Sequence, residues 1–181
     1  MHEERGELAF VPEDLARMLE ESLTTLKWAL TTVPERFQTM PPPHAPGQLP
    51  RWSVALNLAH MAVYEDLLAG PVLADMAAGG DGSGVAPSGD EDWFEGGAQA
   101  LSREPVAAIM ARLDAARRGQ IESVRRFSAA HFNTPTTPLW GGREGLLFPA
   151  GWVAAKTVQH TWEHGHTVMQ AALFRDFLFP R

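Results

Sequence analysis

Two histidines spaced four residues apart are the side chains of this sequence best suited to chemistry. His160 and His164 lie in the segment Gln159-His160-Thr161-Trp162-Glu163-His164. In an α-helix this spacing puts both imidazoles on one face, about one turn apart. The pair is therefore close enough to bind one metal ion. The same spacing also arises by chance, and His166 makes the segment rich in histidine, so the pair alone does not decide between a ligand set and a solvated surface.

A third histidine, His60, lies in an apolar stretch, Asn57-Leu58-Ala59-His60-Met61-Ala62. A lone histidine on an apolar stripe is commonly a hydrogen-bonded core residue. His60 and the pair both lie near the middle of helix-like segments, however. The middles of two helices can lie side by side in an antiparallel bundle. Burying three imidazoles together without a metal or hydrogen-bond partners is costly. Three imidazoles with an open fourth position are typical of a catalytic metal site.

The type of metal follows from the type of ligand. The chain has no cysteine, which excludes disulfides, thiolate ligands and a cysteine nucleophile. Imidazole ligands suit zinc, nickel, copper and iron(II), and we expect zinc or nickel. His166 points about 200° around the helix from His164 and cannot easily join the same ion. His2, His44 and His131 fall in the terminus and the loops.

No residue is predicted to act as a catalytic acid or base. Glu65 and Glu163 are interpreted as acids that either support the ligands or face solvent. Glu163 is turned about 100° from His164 on a helix, which favours a solvated carboxylate. The catalytic residues therefore stay unknown at this level.

Apolar residues at three- and four-residue steps predict four helices, which position these histidines. Pro12 and Ser53 provide start signals for the first two, and Ser102-Arg103-Glu104-Pro105 for the third. Gly70-Pro71 is predicted to break the second helix, with a short helical stretch after it. The predicted helices are Pro12–Val33, Ser53–Ala69, Ser102–Ala130 and Ala150–Ala172. No useful strand-like alternation is present, so we expect an all-α four-helix bundle in one domain over residues 1–181.

Three connections between these helices are long. Met40–Pro50 is rich in proline and is predicted to be a stiff extended connection. Gly79–Gly97 and His131–Phe148 are predicted to be loops, and loops of this length are commonly functional or disordered. Trp93 and Trp140 lie in them and are candidates to cover one mouth of the bundle. The apolar tail after residue 172 is expected to dock on the bundle or on a second subunit.

Composition limits the function classes. The chain has 181 residues, 45% of them hydrophobic, and a formal charge of −7 without a long basic run. We therefore expect no nucleic-acid partner. Its apolar runs are too short to span a bilayer, so no membrane partner is expected. The acidic first thirty residues do not resemble a signal peptide, and a cytoplasmic location is the default expectation.

Two segments resemble the motifs of a known family. Arg51-Trp52-Ser53 leading to His60 is similar to the opening of the second helix in the DinB/YfiT-like superfamily. The segment from Gln159 to Gln170 resembles the His-x-x-x-His signature on that family's fourth helix. The order and spacing of the elements agree over nearly the whole chain. In the family a basic residue and Gly-Gln commonly follow the second histidine, whereas Gly165-His166-Thr167 follows here.

The resemblance implies an up-down-down-up four-helix bundle with a long crossover between the first two helices. It also implies a divalent metal held by His60, His160 and His164, and frequent homodimers. Relatives include S-transferases that use bacillithiol or mycothiol, mycothiol-dependent maleylpyruvate isomerase and metal-dependent hydrolases.

The leading functional hypothesis is a metal-dependent enzyme that activates a thiol and acts on a small-molecule substrate. Because the protein has no cysteine, the thiol must be a low-molecular-weight cosubstrate. Three alternatives stay open: hydrolysis by metal-bound water, a non-catalytic bundle that binds a metal or small ligand, and a purely structural bundle without metal.

Overall fold

Helices account for most of the described backbone of the protein. The computed structural model describes residues 9–43, 47, 51–85, 92–138 and 146–174. The helices are α1 (Pro12–Thr32), α2 (Glu35–Gln38), α3 (Val54–Tyr64), α4 (Gly70–Ala77), α5 (Asp92–Leu101), α6 (Val106–Arg125), α7 (Ala129–Asn133) and α8 (Ala150–Leu173), with a π-helical turn at Glu65–Ala69. In this part of the chain, β pairing is limited to an isolated antiparallel bridge between Thr137 and Phe148. The predicted all-α fold is confirmed.

Four helices surround the core. Helix α1 packs against α6 and α8, and α3 packs against the same two helices. Helices α1 and α3 therefore lie at opposite corners of a four-helix arrangement. One apolar cluster joins the later half of α1 to most of α3, the beginning of α6 and the end of α8. A second joins the beginning of α1 to α4, the end of α6 and the beginning of α8. The later half of α1 therefore lies at the same end of the bundle as the beginning of α6 and the end of α8, and the up-down-down-up order stays a prediction.

A polar layer lies between the two apolar clusters. On α1 the clusters are separated at Ser22, and on α6 at Arg117. On α8 they are separated by the stretch from Gln159 to Thr167, which carries His160 and His164. The core therefore contains one level at which buried side chains can hydrogen-bond rather than only pack.

The second predicted helix does not break at Gly70-Pro71, and that prediction is wrong. The π-helical turn Glu65–Ala69 joins α3 to α4, and the Gly70 N–H donates to the carbonyl oxygen of Glu65. A Cβ atom at Gly70 would lie 2.7 Å from that oxygen, so glycine permits the turn. Pro71 falls in the first turn of α4, where proline is tolerated. Glu65, at the start of the π-helical turn, is buried in the bundle interior.

The predicted loop Gly79–Gly97 is wrong in its last part, because α5 begins at Asp92. Trp93 and Phe94 are therefore helical, and Ala98 on the same helix is buried. Two glycines within α5 weaken its helix signal, although Gly97 lies on the side that faces α3. A Cβ atom at this position would lie 3.4 Å from Val63 Cγ1.

The third and fourth predicted helices differ from the structure mainly at their ends. Helix α6 begins at Val106, after Pro105, and ends at Arg125 rather than at Ala130. Ser128 then caps the short helix α7, its hydroxyl oxygen accepting from the His131 N–H at 3.2 Å. Helix α7 thus occupies the start of the predicted second loop. Helix α8 extends one residue beyond its predicted end, to Leu173.

Some predicted segments lie outside the described residues. These are much of the proline-rich connection, Trp140 in the second loop, and the tail after Phe174. Met40–Pro43, at the start of the connection, is not helical. No helix of the described part is both long and apolar enough to cross a membrane.

Candidate metal centre

The three predicted ligand residues lie together. His60 on α3 and His160 and His164 on α8 each offer a ligand nitrogen, and these atoms all lie within 4.8 Å of one another. The ring centroids are 4.4 Å apart for His60 and His164, 5.0 Å for His60 and His160, and 4.6 Å for the α8 pair. Two rings are buried, and that of His164 is half-buried. The spacing along α8 thus produces the shared face that the sequence predicts.

Local capping fixes the start of α3, which determines where His60 projects. The hydroxyl oxygen of Ser53 accepts a hydrogen bond from the Leu56 N–H at 3.1 Å, as an N-cap does. His60 follows two helical turns later, on the face that packs against α8. The Ser53 N-cap therefore helps to determine the position of His60.

An aromatic ring from the segment before α3 contacts two of the three imidazoles. The Trp52 indole lies edge-on to His60, with centroids 4.9 Å apart. It stacks on His164 at 5.5 Å with an angle of 14° between the ring planes. Trp52 therefore forms a wall of the site and limits rotation of the His164 ring.

Two further rings enclose the other side. Phe94 on α5 lies 4.2 Å from His60, and Tyr64 on α3 lies 4.4 Å from His160, both between ring centroids. Trp93, a predicted candidate to cover one mouth of the bundle, contacts Phe94, with ring centroids 5.3 Å apart. Among the described residues, the apolar wall therefore comes from Trp52, Phe94 and Tyr64, with Trp93 behind Phe94.

Burial keeps the three imidazoles neutral. It lowers the pKa of His60 to about 4, with His164 as a secondary cause. It lowers the pKa of His160 to about 2, assisted by both neighbouring histidines. Burial also lowers the pKa of His164. Neutral imidazoles carry the lone pair that a metal ion needs, so the site is in ligand form at neutral pH.

The unpaired ring nitrogens test whether these residues suit a metal ion. The Nδ1 atoms of His60 and His160 are buried and have no hydrogen-bond partner among the described residues. Leaving a polar atom buried and unpaired costs about 1–3 kcal/mol. The donor set itself, three imidazoles without thiolate, suits a divalent transition ion. The residues present therefore fit a metal ion.

These low pKa values make the stability of the metal-free protein depend on pH. The unfolded histidine takes up a proton below about pH 6.5, whereas folded His60 does so only near pH 4. Between these values the unfolded state binds more protons, so the free energy of unfolding falls as pH falls, by about 1.4 kcal/mol per pH unit for each such group. Urea unfolding at pH 7.5 and pH 5 checks this.

The His160→Gln variant isolates one contribution to that pH dependence. Without the imidazole, the free energy of unfolding should differ less between pH 7.5 and pH 5 than it does in the wild type. The decrease is the contribution of His160. Equal pH dependence in the two proteins would show that His160 is not held neutral by the fold.

Sequence reasoning missed Asn57, which contacts a candidate ligand directly. Its Oδ1 lies 3.0 Å from Nδ1 of His164, and its side chain is buried. Asn57 precedes His60 by three residues, which places the two on neighbouring positions of one helix face. That spacing was the available signal.

A buried ion pair was also missed. Arg117 on α6 pairs with Glu65, and neither side chain is exposed. Glu65 was predicted to support the ligands or face solvent; it instead pairs with Arg117 and accepts from Gln120 Nε2 at 2.9 Å. Burial raises the pKa of Glu65, against the effects of Arg117 and Gln120.

The remaining candidates lie apart from the cluster. His166 is exposed and does not belong to the ligand group. His131 is half-buried on α7, its ring 5.1 Å from that of Phe127. Glu163 is exposed and accepts a hydrogen bond from Gln159 at 2.8 Å. His2 and His44 lie outside the described residues.

Comparison with known proteins gives a family and two related folds. The model of the DinB superfamily matches residues 13–168. The crystal structure of the colibactin self-resistance protein ClbS in complex with a dsDNA is similar, with a TM-score of 0.60 and 16% identity over 87% of this chain and 92% of that one. A mutant of mycothiol-dependent maleylpyruvate isomerase gives a TM-score of 0.61 and 12% identity over 87% of this chain and 60% of that one. No curated protein sequence matches significantly. The family match covers most of the sequence, and this chain belongs to the DinB superfamily.

Proposed function

We propose that His60, His160 and His164 hold one divalent metal ion, zinc or nickel, and that the protein uses it to transfer a thiol cosubstrate to an electrophilic small molecule. The observation that carries the proposal is the approach of three neutral ligand nitrogens to within 4.8 Å of one another. When bound, such an ion lowers the pKa of a coordinated thiol or water.

The residues of this chain support an ion that binds a thiol cosubstrate rather than an ion that only stabilises the fold. Three protein ligands leave a position open, as in catalytic sites. Trp52 and Phe94 line the cluster with apolar surface, which keeps water away from the imidazoles. Because the protein has no cysteine, the thiol must be a second substrate. The likeness to a mycothiol-dependent isomerase supports the same conclusion.

A cavity provides room for a small molecule beside the cluster. It has a volume of about 370 Å³, and its wall contains one edge of the candidate site, His164 with Asn57 and Trp52. Pro42, Arg51, Thr167 and Gln170 complete the wall. Cavities of this size bind small ligands, so the site can be approached from the side of His164.

The proposed partners follow from charge and from the site. A formal charge of −7 does not favour a polyphosphate backbone, so we propose a small molecule rather than the dsDNA that ClbS binds. A homodimer, frequent in the family, is part of the same proposal.

Cobalt(II) provides a direct test, because its absorption spectrum reports its ligands. Metal-free protein loaded with Co²⁺ should bind one ion per chain and should gain near-ultraviolet absorption when a small thiol such as 2-mercaptoethanol is added. The His160→Ala variant should lose both signals. The His166→Ala variant is the matched control, since its imidazole is exposed on the same helix, and it should keep both.

The same preparation separates the alternatives. Bound Co²⁺ without any response to thiols, together with cleavage of an activated ester, would replace the transfer reaction by hydrolysis. Bound Co²⁺ with neither response would leave a non-catalytic metal-binding bundle. Absence of bound Co²⁺ would overturn the metal site itself.

A further inference from the structure

The side-chain amide of Asn57 connects the start of α3 to one candidate ligand on α8. Its Nδ2 donates to the carbonyl oxygen of Ser53 at 2.8 Å and, at 3.3 Å, to that of Trp52. Its Oδ1 lies 3.0 Å from Nδ1 of His164. Only 3% of Asn57 is exposed, so these bonds form away from water, where they are strong.

These contacts determine which way the amide faces. Carbonyl oxygens only accept hydrogen bonds, so the atom of Asn57 that lies against two of them must be the NH₂ group. The opposite orientation would place three oxygens against one another. The amide oxygen therefore faces His164, as the hydrogen-bond network requires.

The orientation of the amide in turn determines the tautomer of His164. An amide oxygen cannot donate, so the Nδ1 of His164 must carry the proton in this contact. Since a neutral imidazole has one N–H, the lone pair is on Nε2. The stacked Trp52 ring restrains the plane of the same imidazole.

We propose that Asn57 is a positioning residue, which holds His164 as the Nδ1–H tautomer and so presents the Nε2 lone pair for ligation. The tautomer is a property of the protein alone, whereas its effect on metal binding rests on the proposed function. Hydrogen bonding of the second ring nitrogen commonly orients metal-bound histidines. Among the described residues the His164 ring has a hydrogen-bond partner, whereas the buried Nδ1 atoms of His60 and His160 have none.

Nitrogen-15 NMR of the metal-free protein tests the tautomer directly. Two-bond proton–nitrogen correlation spectra distinguish Nδ1–H from Nε2–H imidazoles, and the His164→Gln spectrum assigns the resonance. Wild-type His164 should be the Nδ1–H form at pH 7.5. Asn57→Leu, which removes the acceptor, should shift the ring toward Nε2–H.

Zinc affinity provides the second readout. Loss of such a hydrogen-bond partner commonly lowers metal affinity 10- to 100-fold, and we expect a loss of about this size for Asn57→Leu. The matched control is Asn133→Leu. Asn133 also bonds to the backbone, at Phe10 and Ala129, but it does not contact the three candidate ligands. The Asn133→Leu variant should leave the His164 tautomer and the zinc affinity unchanged.

The outcomes separate this inference from the proposed function. An Nε2–H tautomer for wild-type His164 overturns the inference without any variant, so poor folding of Asn57→Leu does not remove the test. Equal zinc affinity in the wild type and Asn57→Leu overturns the positioning role while the metal site stands. An Nδ1–H tautomer in a wild type that binds no zinc supports the role of Asn57 in the fold and overturns the proposed metal site.

Discussion

Replacing Arg117 with methionine is expected to lower the free energy of unfolding by about 3–5 kcal/mol, because it leaves a buried charge without its partner. The Arg117 guanidinium is fully buried and bonds to Glu65 through Nε at 2.7 Å and through Nη2. It also donates to Ser22 Oγ at 2.8 Å and to Thr161 Oγ1 at 2.7 Å. These partners lie on different helices, so one side chain connects α1, α6, α8 and the π-helical turn.

The loss should depend on pH in a defined direction. Burial raises the pKa of Glu65, and Arg117 opposes that rise. Without Arg117 the pKa rises further, so the folded variant binds a proton above the pH at which the unfolded carboxyl has lost it. The folded state then holds more protons than the unfolded state, and stability falls as pH rises through this window. The variant should therefore be closer to the wild type at pH 5 than at pH 8.

Urea unfolding measures both effects, and the same helix offers a matched control. Arg112 pairs with Asp66 at 2.6 Å, but both side chains are more than one third exposed, at 41% and 38%. Arg112→Met should cost only about 0–1 kcal/mol, since exposed ion pairs contribute little. A loss of similar size in the two variants would contradict the argument. The double variant Arg117→Met with Glu65→Gln should recover part of the loss, because no buried charge is left unpaired.

The histidine cluster could be predicted because its geometry is largely local. The spacing of His160 and His164 determines a shared helix face without any tertiary information. Assigning His60 to the same cluster required one further expectation, that the middles of two helices lie side by side in a bundle. Asn57 could not be assigned in the same way. Its contact with His164 spans 107 residues, and it depends on the rotation of α3 against α8.

The polar layer escaped prediction for a physical reason. Arg117 lies four residues after Leu113 and four before Ile121, on the apolar stripe of α6. A long cationic side chain at such a position commonly extends to solvent. Its actual partner, Glu65, is 52 residues away in sequence and is carried inward by a π-helical turn. Neither the turn nor the pairing has a signature in hydrophobic periodicity.

Zinc is expected to stabilise the folded protein, and His160→Ala should abolish that gain. A ligand that binds only the folded state adds about 4.1 kcal/mol when its concentration is a thousand times Kd. Removing His160 leaves two ligands, which is too few for a tight divalent site. Thermal unfolding of wild type and variant, each with EDTA or with excess zinc, measures the difference between the two gains.

The structure also predicts how this gain depends on pH and on the position of the histidine. Burial lowers the pKa of His60 to about 4 and that of His160 to about 2, and it also lowers the pKa of His164 from its ordinary value. Protons should therefore compete little with zinc between pH 8 and pH 7. The zinc-linked gain should therefore change little over that range. His166→Ala should keep the full gain, because His166 is exposed and lies outside the ligand group. A gain of equal size in His160→Ala would place the zinc elsewhere, since the cluster cannot lose a buried ligand and keep its affinity.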